Sequence, residues 1–227
     1  MRHEFRKEMS LLEDTLTMLA KQSATAMERA AASLKDANLA LAESVIDADH
    51  QIDFLEQNVD EMAVSLLARQ APVAGDLRTV VSAMRLAATL ERMGDLARHV
   101  AYIARGRFPQ TAAEGTTYEL LISMADEAAT VGKMVAELVE SQDLSLARQI
   151  EENDEVLDTF HRRSFELVLN EDNALTRQEV VDVVLLGRFL ERYGDHAVSV
   201  ARRMIFLVTG LNATHDSTPG TEEEMLG

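Results

Sequence analysis

Apolar residues recur along most of this chain at intervals of three and four, the period of an amphipathic helix packed on one face. Over 4–34 the stripe is Phe5, Met9, Leu12, Leu16, Leu19 and Ala20, and it gives a first helix ending at the turn Lys35-Asp36-Ala37-Asn38. A second helix is predicted over 36–70, carrying Leu41, Val45, Ile52, Leu55, Val59, Met62 and Leu66 on its apolar face. Ala71-Pro72-Val73-Ala74-Gly75-Asp76 breaks the pattern, and Asp76 suits the N-cap of a third helix reaching about 105. Segment 106–117, with one Pro, two Gly and several Thr, reads as the connection between two halves. Beyond it the plan repeats, with helices predicted over 118–141, 144–170 and 176–210. The expected organisation is a first three-helix bundle over 1–106, a second over 118–210, and a flexible acidic tail over 211–227.

The second half echoes the first in its chemistry. Leu90-Glu91-Arg92-Met93-Gly94-Asp95-Leu96-Ala97 returns 100 residues later as Leu190-Glu191-Arg192-Tyr193-Gly194-Asp195-His196-Ala197. A weaker echo relates Asp49 and Asp53 to Asp154 and Asp158. The slightly different offset requires only a connection of another length between the second and third helix of each half. Short connections make consecutive helices antiparallel neighbours, so the fold expected is all-α: two pseudo-symmetric antiparallel three-helix bundles, six long helices in all.

Composition narrows the function classes. Acidic residues outnumber basic ones 39 to 22, for a net charge of −17, which argues against a nucleic-acid binder and in favour of cations or basic partners. With 47% apolar and only 4% aromatic residues the chain can build a helical core from Ala, Leu, Val and Met. The absence of cysteine fits a reducing compartment. Neither a secretory signal at the start nor an uncharged stretch long enough to span a bilayer is found, so a cytoplasmic location is expected.

The acids themselves are the candidate chemistry. Residues four apart on a helix share a face, so Asp49 with Asp53, Glu91 with Asp95, Asp154 with Asp158 and Glu191 with Asp195 are paired carboxylates. Antiparallel packing can bring two pairs together in each half, and four converging carboxylates call for a cation such as magnesium, calcium, manganese or iron. A solvated acidic face is the plain alternative for any one pair. Repetition favours a site. Gly94 and Gly194 each cost a helix interior about 1 kcal/mol and point to close packing or access for an ion. Arg188 stands three residues before Glu191 and can neutralise it, whereas the first half has Ala88 there. The first-half acids are therefore expected to depend more on an ion. His99, four residues after Asp95, is a candidate nitrogen ligand, and Asp158 with His161 has a spacing loosely like that of ferritin-like di-iron sites. No phosphate-binding glycine loop, nucleophile elbow or His-Glu-x-x-His motif occurs.

The two motif copies, together with Pro72-Val73-Ala74-Gly75-Asp76-Leu77-Arg78, resemble the PhoU family of phosphate-uptake and phosphate-signalling regulators. The resemblance implies that the eight acids hold multinuclear metal clusters of iron, manganese, zinc or magnesium. It further implies a non-enzymatic cytoplasmic regulator. Such a protein touches the ATPase subunit of a phosphate ABC transporter and a sensor histidine kinase, reaches the membrane only through those partners, and represses the starvation response when phosphate is plentiful. A homodimer is expected on general grounds. A carboxylate-bridged helical-bundle metalloenzyme is the competing class.

Overall fold

The computed structural model describes residues 2–211. It contains six helices and, among the described residues, no strand: α1 (Arg2–Lys35), α2 (Leu39–Gln70), α3 (Ala74–Arg107), α4 (Gly115–Ser141), α5 (Ser145–Leu169) and α6 (Arg177–Thr209). The all-α expectation of two three-helix bundles holds. Apart from Leu211, the acidic tail expected over 211–227 lies outside the described residues.

Local chemistry sets the helix ends. Asn38 caps α2, its side-chain oxygen accepting from the Leu41 N–H at 3.0 Å, so α2 starts three residues later than the pattern alone indicates. Thr176 and Glu179 form a reciprocal capping box on α6, at 3.2 and 2.8 Å, and Gly210 closes that helix in the left-handed conformation at φ 77°. Asp76 is not a cap. The chain turns through Ala71 at positive φ and extends at Val73, so α3 begins at Ala74 and Asp76 falls in its first turn, where a carboxylate favours the N-terminal dipole.

Packing arranges α1, α3, α6 and α4 as a central ring, each touching the next, with α2 laid outside α1 and α3 and α5 outside α4 and α6. One continuous core runs through both halves, from Leu12, Leu19 and Met27 on α1 to Leu186, Leu190 and Tyr193 on α6. The connection between halves is tighter than its Gly, Pro and Thr content suggests, because Ala112 and Ala113 are buried. The outer placement of α2 and α5 decides the rest. Each presents one acidic stripe to its neighbour in the ring, α2 to α3 and α5 to α6.

Candidate functional site: two unequal carboxylate clusters

In the first half, Asp49 and Asp53 on α2 face Glu91 and Asp95 on α3, and Glu56 joins them from the next turn of α2. Asp49 is only 3% exposed. Burial raises its pKa, and the charges of Asp53 and Asp95 add to the effect while Arg98 opposes it. Glu91 is raised in the same way, by burial and by Asp95. What answers these charges is a side chain of the protein. Arg98 pairs with Asp49 and places its second nitrogen 2.6 Å from Asp95. Arg92, on the exposed side, reaches Glu91 at 3.5 Å and Asp95 at 3.3 Å.

The premise of the expectation that the first-half acids depend more on an ion, that they carry less built-in neutralisation, is therefore corrected. Arg98 stands three residues after Asp95, one helical turn, and bridges the two helices from there. The same spacing rule that singles out Arg188 before Glu191 would have found Arg98 after Asp95.

In the second half the corresponding position is Val198, which is buried in the core. Asp154 and Asp158 on α5 face Glu191 and Asp195 on α6, with no arginine between them. Arg188 holds Glu191 from outside at 2.7 Å, and Arg202 is taken up by Glu151 at 3.3 Å. Asp154 is left exposed to its like-charged neighbours. Burial, followed by the charges of Asp158, Asp195 and Glu191, pushes its pKa up to about 6, against the opposing charge of Arg202. Its Oδ1 is buried without a hydrogen-bond partner, and so is Nε2 of His161, whose charge acts on Glu191 in the same cluster. A buried polar atom left unpaired in a native fold asks for an explanation.

Glycine explains how Asp154 comes so close to α6. A Cβ at Gly194 would run into Asp154 Oδ1 and come within 2.8 Å of Leu157 Cδ1. At Gly94 the added carbon meets only Ile52, 2.8 Å from its Cδ1. Both glycines serve close helix packing, and at 194 that packing includes the orphaned carboxylate.

All eight sequence-predicted acids thus fall into two clusters of four. His161 joins the second. His99 does not join the first: its ring stacks on Phe189 of α6, centroids 5.0 Å apart, because it projects toward the α3–α6 seam and not toward α2. Among the described residues, no three Asp, Glu or His side chains stand at the spacing of a preformed metal cage. The donor set of the second cluster nevertheless suits a divalent ion. It offers several carboxylate oxygens and one imidazole nitrogen, and two of these atoms, Asp154 Oδ1 and His161 Nε2, are orphaned. The first cluster suits one less well, its cationic place being taken by Arg98.

A duplicated three-helix unit with a Glu-Arg-x-Gly-Asp motif facing an acidic outer helix in each half defines a class of helical-bundle protein. The PhoU domain matches residues 16–104 and 121–204, one match in each half, and the chain belongs to the PhoU family. It is 41% identical over 221 residues to the phosphate-specific transport system accessory protein PhoU homolog 1 of Mycobacterium leprae, covering 97% of this chain and all of that one. It is 43% identical over 210 residues to PhoU homolog 2 of Mycobacterium tuberculosis, covering 92% and 99% of the two chains. The crystal structure of PhoU from Pseudomonas aeruginosa superposes with a TM-score of 0.79 at 28% identity, over 91% of this chain and the whole of that one.

Proposed function

We propose that this protein is a non-enzymatic regulator of phosphate transport and phosphate-starvation signalling. The observation that carries the reading is the full-length similarity to proteins named as accessories of the phosphate-specific transport system. In this reading it couples the ATPase subunit of a phosphate ABC transporter to a sensor histidine kinase and restrains the kinase when phosphate is plentiful. Partner contact would bring it to the membrane, since among the described residues no helix is long and apolar enough to cross one. Capture of the tagged full chain from cells grown in high and in low phosphate tests the coupling. The transporter ATPase and the kinase should both be recovered, with the balance shifting with phosphate. Recovery of neither overturns it.

The carboxylate clusters are proposed to hold divalent or trivalent cations, the second half more strongly than the first. Asp154, Asp158, Glu191, Asp195 and His161 would supply the ligands there. Asp49, Asp53, Glu91 and Asp95 would do so in the first half only after Arg98 swings away. The orphaned Oδ1 of Asp154 and the upward shift of its pKa support this order. A bound ion would supply the positive charge that Arg98 supplies in the first half, and iron, manganese, zinc or magnesium would serve. Ligation requires ionised carboxylates, so occupancy should fade as pH falls through the carboxylate range.

A further inference from the structure

The α3–α6 seam joins the two halves, and its register is fixed by three contacts. Arg107 pairs with Asp182 at 2.5 Å, His99 stacks on Phe189, and the Arg78 guanidinium fills the space beside Gly210 that a side chain there would need. The helices are therefore antiparallel, and each step of seven residues down α3 meets a step of seven up α6. Down α3 the steps from His99 are Arg92, Arg85 and Arg78; up α6 from Phe189 they are His196, Arg203 and Gly210. No acid lies on either row, in a chain whose net charge is −17.

The row is not uniformly free. Arg92 is turned to Glu91 and Asp95. The other ion pairs of the two helices are made by Arg98, Arg107, Arg188 and Arg202. Among the described residues Arg78, Arg85 and Arg203 make none. Arg85 is exposed, while Arg203 is half-buried against Phe206, and the Nε of Arg78 is buried without a partner. Burial and the facing Arg85 charge push the Arg203 guanidinium down. Arg85 and Arg203 thus face each other across the seam with no acid on either row, and Arg78 stands one seven-residue step further along α3, beside Gly210; facing like charges repel, and an anion between them would relieve that repulsion.

We propose that Arg85 and Arg203, flanked by Arg78, form a binding site for a phosphate-type oxyanion. The planar guanidinium presents paired N–H donors that match phosphate oxygens two at a time, and two such forks on different helices can grip one tetrahedral dianion from both sides. A singly charged carboxylate would leave the pair under-neutralised. The chemistry is the same whether the phosphoryl group is free or carried on a larger molecule. This site is separate from the carboxylate clusters, and its failure would leave the regulator reading untouched, because partner capture is a different readout.

The test is calorimetric titration of the full chain with inorganic phosphate, pyrophosphate and ATP at constant ionic strength, with chloride as the control. Saturable binding is expected, weakened at least about tenfold in Arg85→Gln and in Arg203→Gln, with both variants melting at or above the parent because repulsion is relieved. Tighter binding of pyrophosphate or ATP than of phosphate would assign the site to a carried phosphoryl group, and the reverse order to the free ion. No saturable binding, or binding indifferent to both substitutions, overturns the proposal. So does binding that emerges only when Glu222, Glu223 and Glu224 of the tail, outside the described residues, are changed to Gln, since the arginines would then belong to the chain's own acids.

Discussion

Replacing Asp154 by Asn should stabilise the metal-free protein and weaken its response to metal, two effects of opposite sign from one isosteric change. The carboxyl is raised from 3.8 to about 6 by burial and by the charges of Asp158, Asp195 and Glu191. At about 1.4 kcal/mol per pKa unit, a shift of roughly two units corresponds to about 3 kcal/mol of strain when the group is ionised. Asp154 is only partly buried, and screening reduces this to about 1–2 kcal/mol. The sign follows from linkage. A carboxyl whose folded pKa lies above its unfolded value holds its proton better in the native state, so stability is fully present below pH 4 and is lost as pH rises through 6. Asn carries no charge, fits the same space beside Gly194, and can donate its amide hydrogens to the surrounding carboxylates. The variant should therefore melt about 3–6 °C above the parent at pH 8 in chelator, a range set by the usual shift per kcal/mol for a chain of this size. That gain should disappear at pH 4, where the parent carboxyl is protonated. With manganese or zinc in place of chelator the order should reverse, since the parent alone keeps all its oxygen ligands. Thermal melts of both proteins across pH, with and without metal, decide it. A pH-independent difference, or a variant less stable than the parent in chelator at pH 8, refutes the account of Asp154.

Two further substitutions probe the asymmetry. Arg98→Val gives the first half the residue found at Val198; it should cost about 2–4 kcal/mol in chelator at pH 8 by leaving Asp49 buried and unpaired, with the loss shrinking toward acid pH and a larger metal-dependent gain in melting temperature than the parent shows. Gly194→Ala should destabilise by about 1–3 kcal/mol in urea titrations because the added methyl displaces Asp154 and Leu157, whereas a gain of about 1 kcal/mol, the value helix propensity alone predicts, would show that the glycine is not needed for packing.

The elements were legible because each helix is long and its apolar stripe strict. Asp76 is a first-turn acid and not a cap, because the backbone turns at Ala71 and extends at Val73 before the helix begins. The pairing of acids across helices followed from spacing plus antiparallel order. What spacing could not give was direction. Asp95 and His99 are both a turn apart on α3, yet one faces α2 and the other faces Phe189 on α6, and only the packing of α3 between those two neighbours separates them. Arg98 was within reach of the same spacing rule, applied downstream of the motif as well as upstream. The seam between α3 and α6 left no mark in either half read alone, because it exists only once the halves are joined.

Duplication explains why two clusters with the same acids need not behave alike. A buried group of carboxylates can be neutralised from within the chain or from solution, and the choice between them turns on one residue, Arg98 in the first half and Val198 in the second. An internal arginine is always present, so the first cluster carries its own counter-charge and ties α2 to α3. The second cluster has Arg188 and Arg202 at its rim, and its deepest carboxylate is held against the α6 backbone without a partner. The free energy of docking α5 on α6 then depends more on proton activity than that of α2 on α3, where the raised carboxyls of Asp49 and Glu91 have Arg98 and Arg92 beside them. In the proposed regulator, an ion taken up by the second cluster would tie α5 to α6 as Arg98 ties α2 to α3.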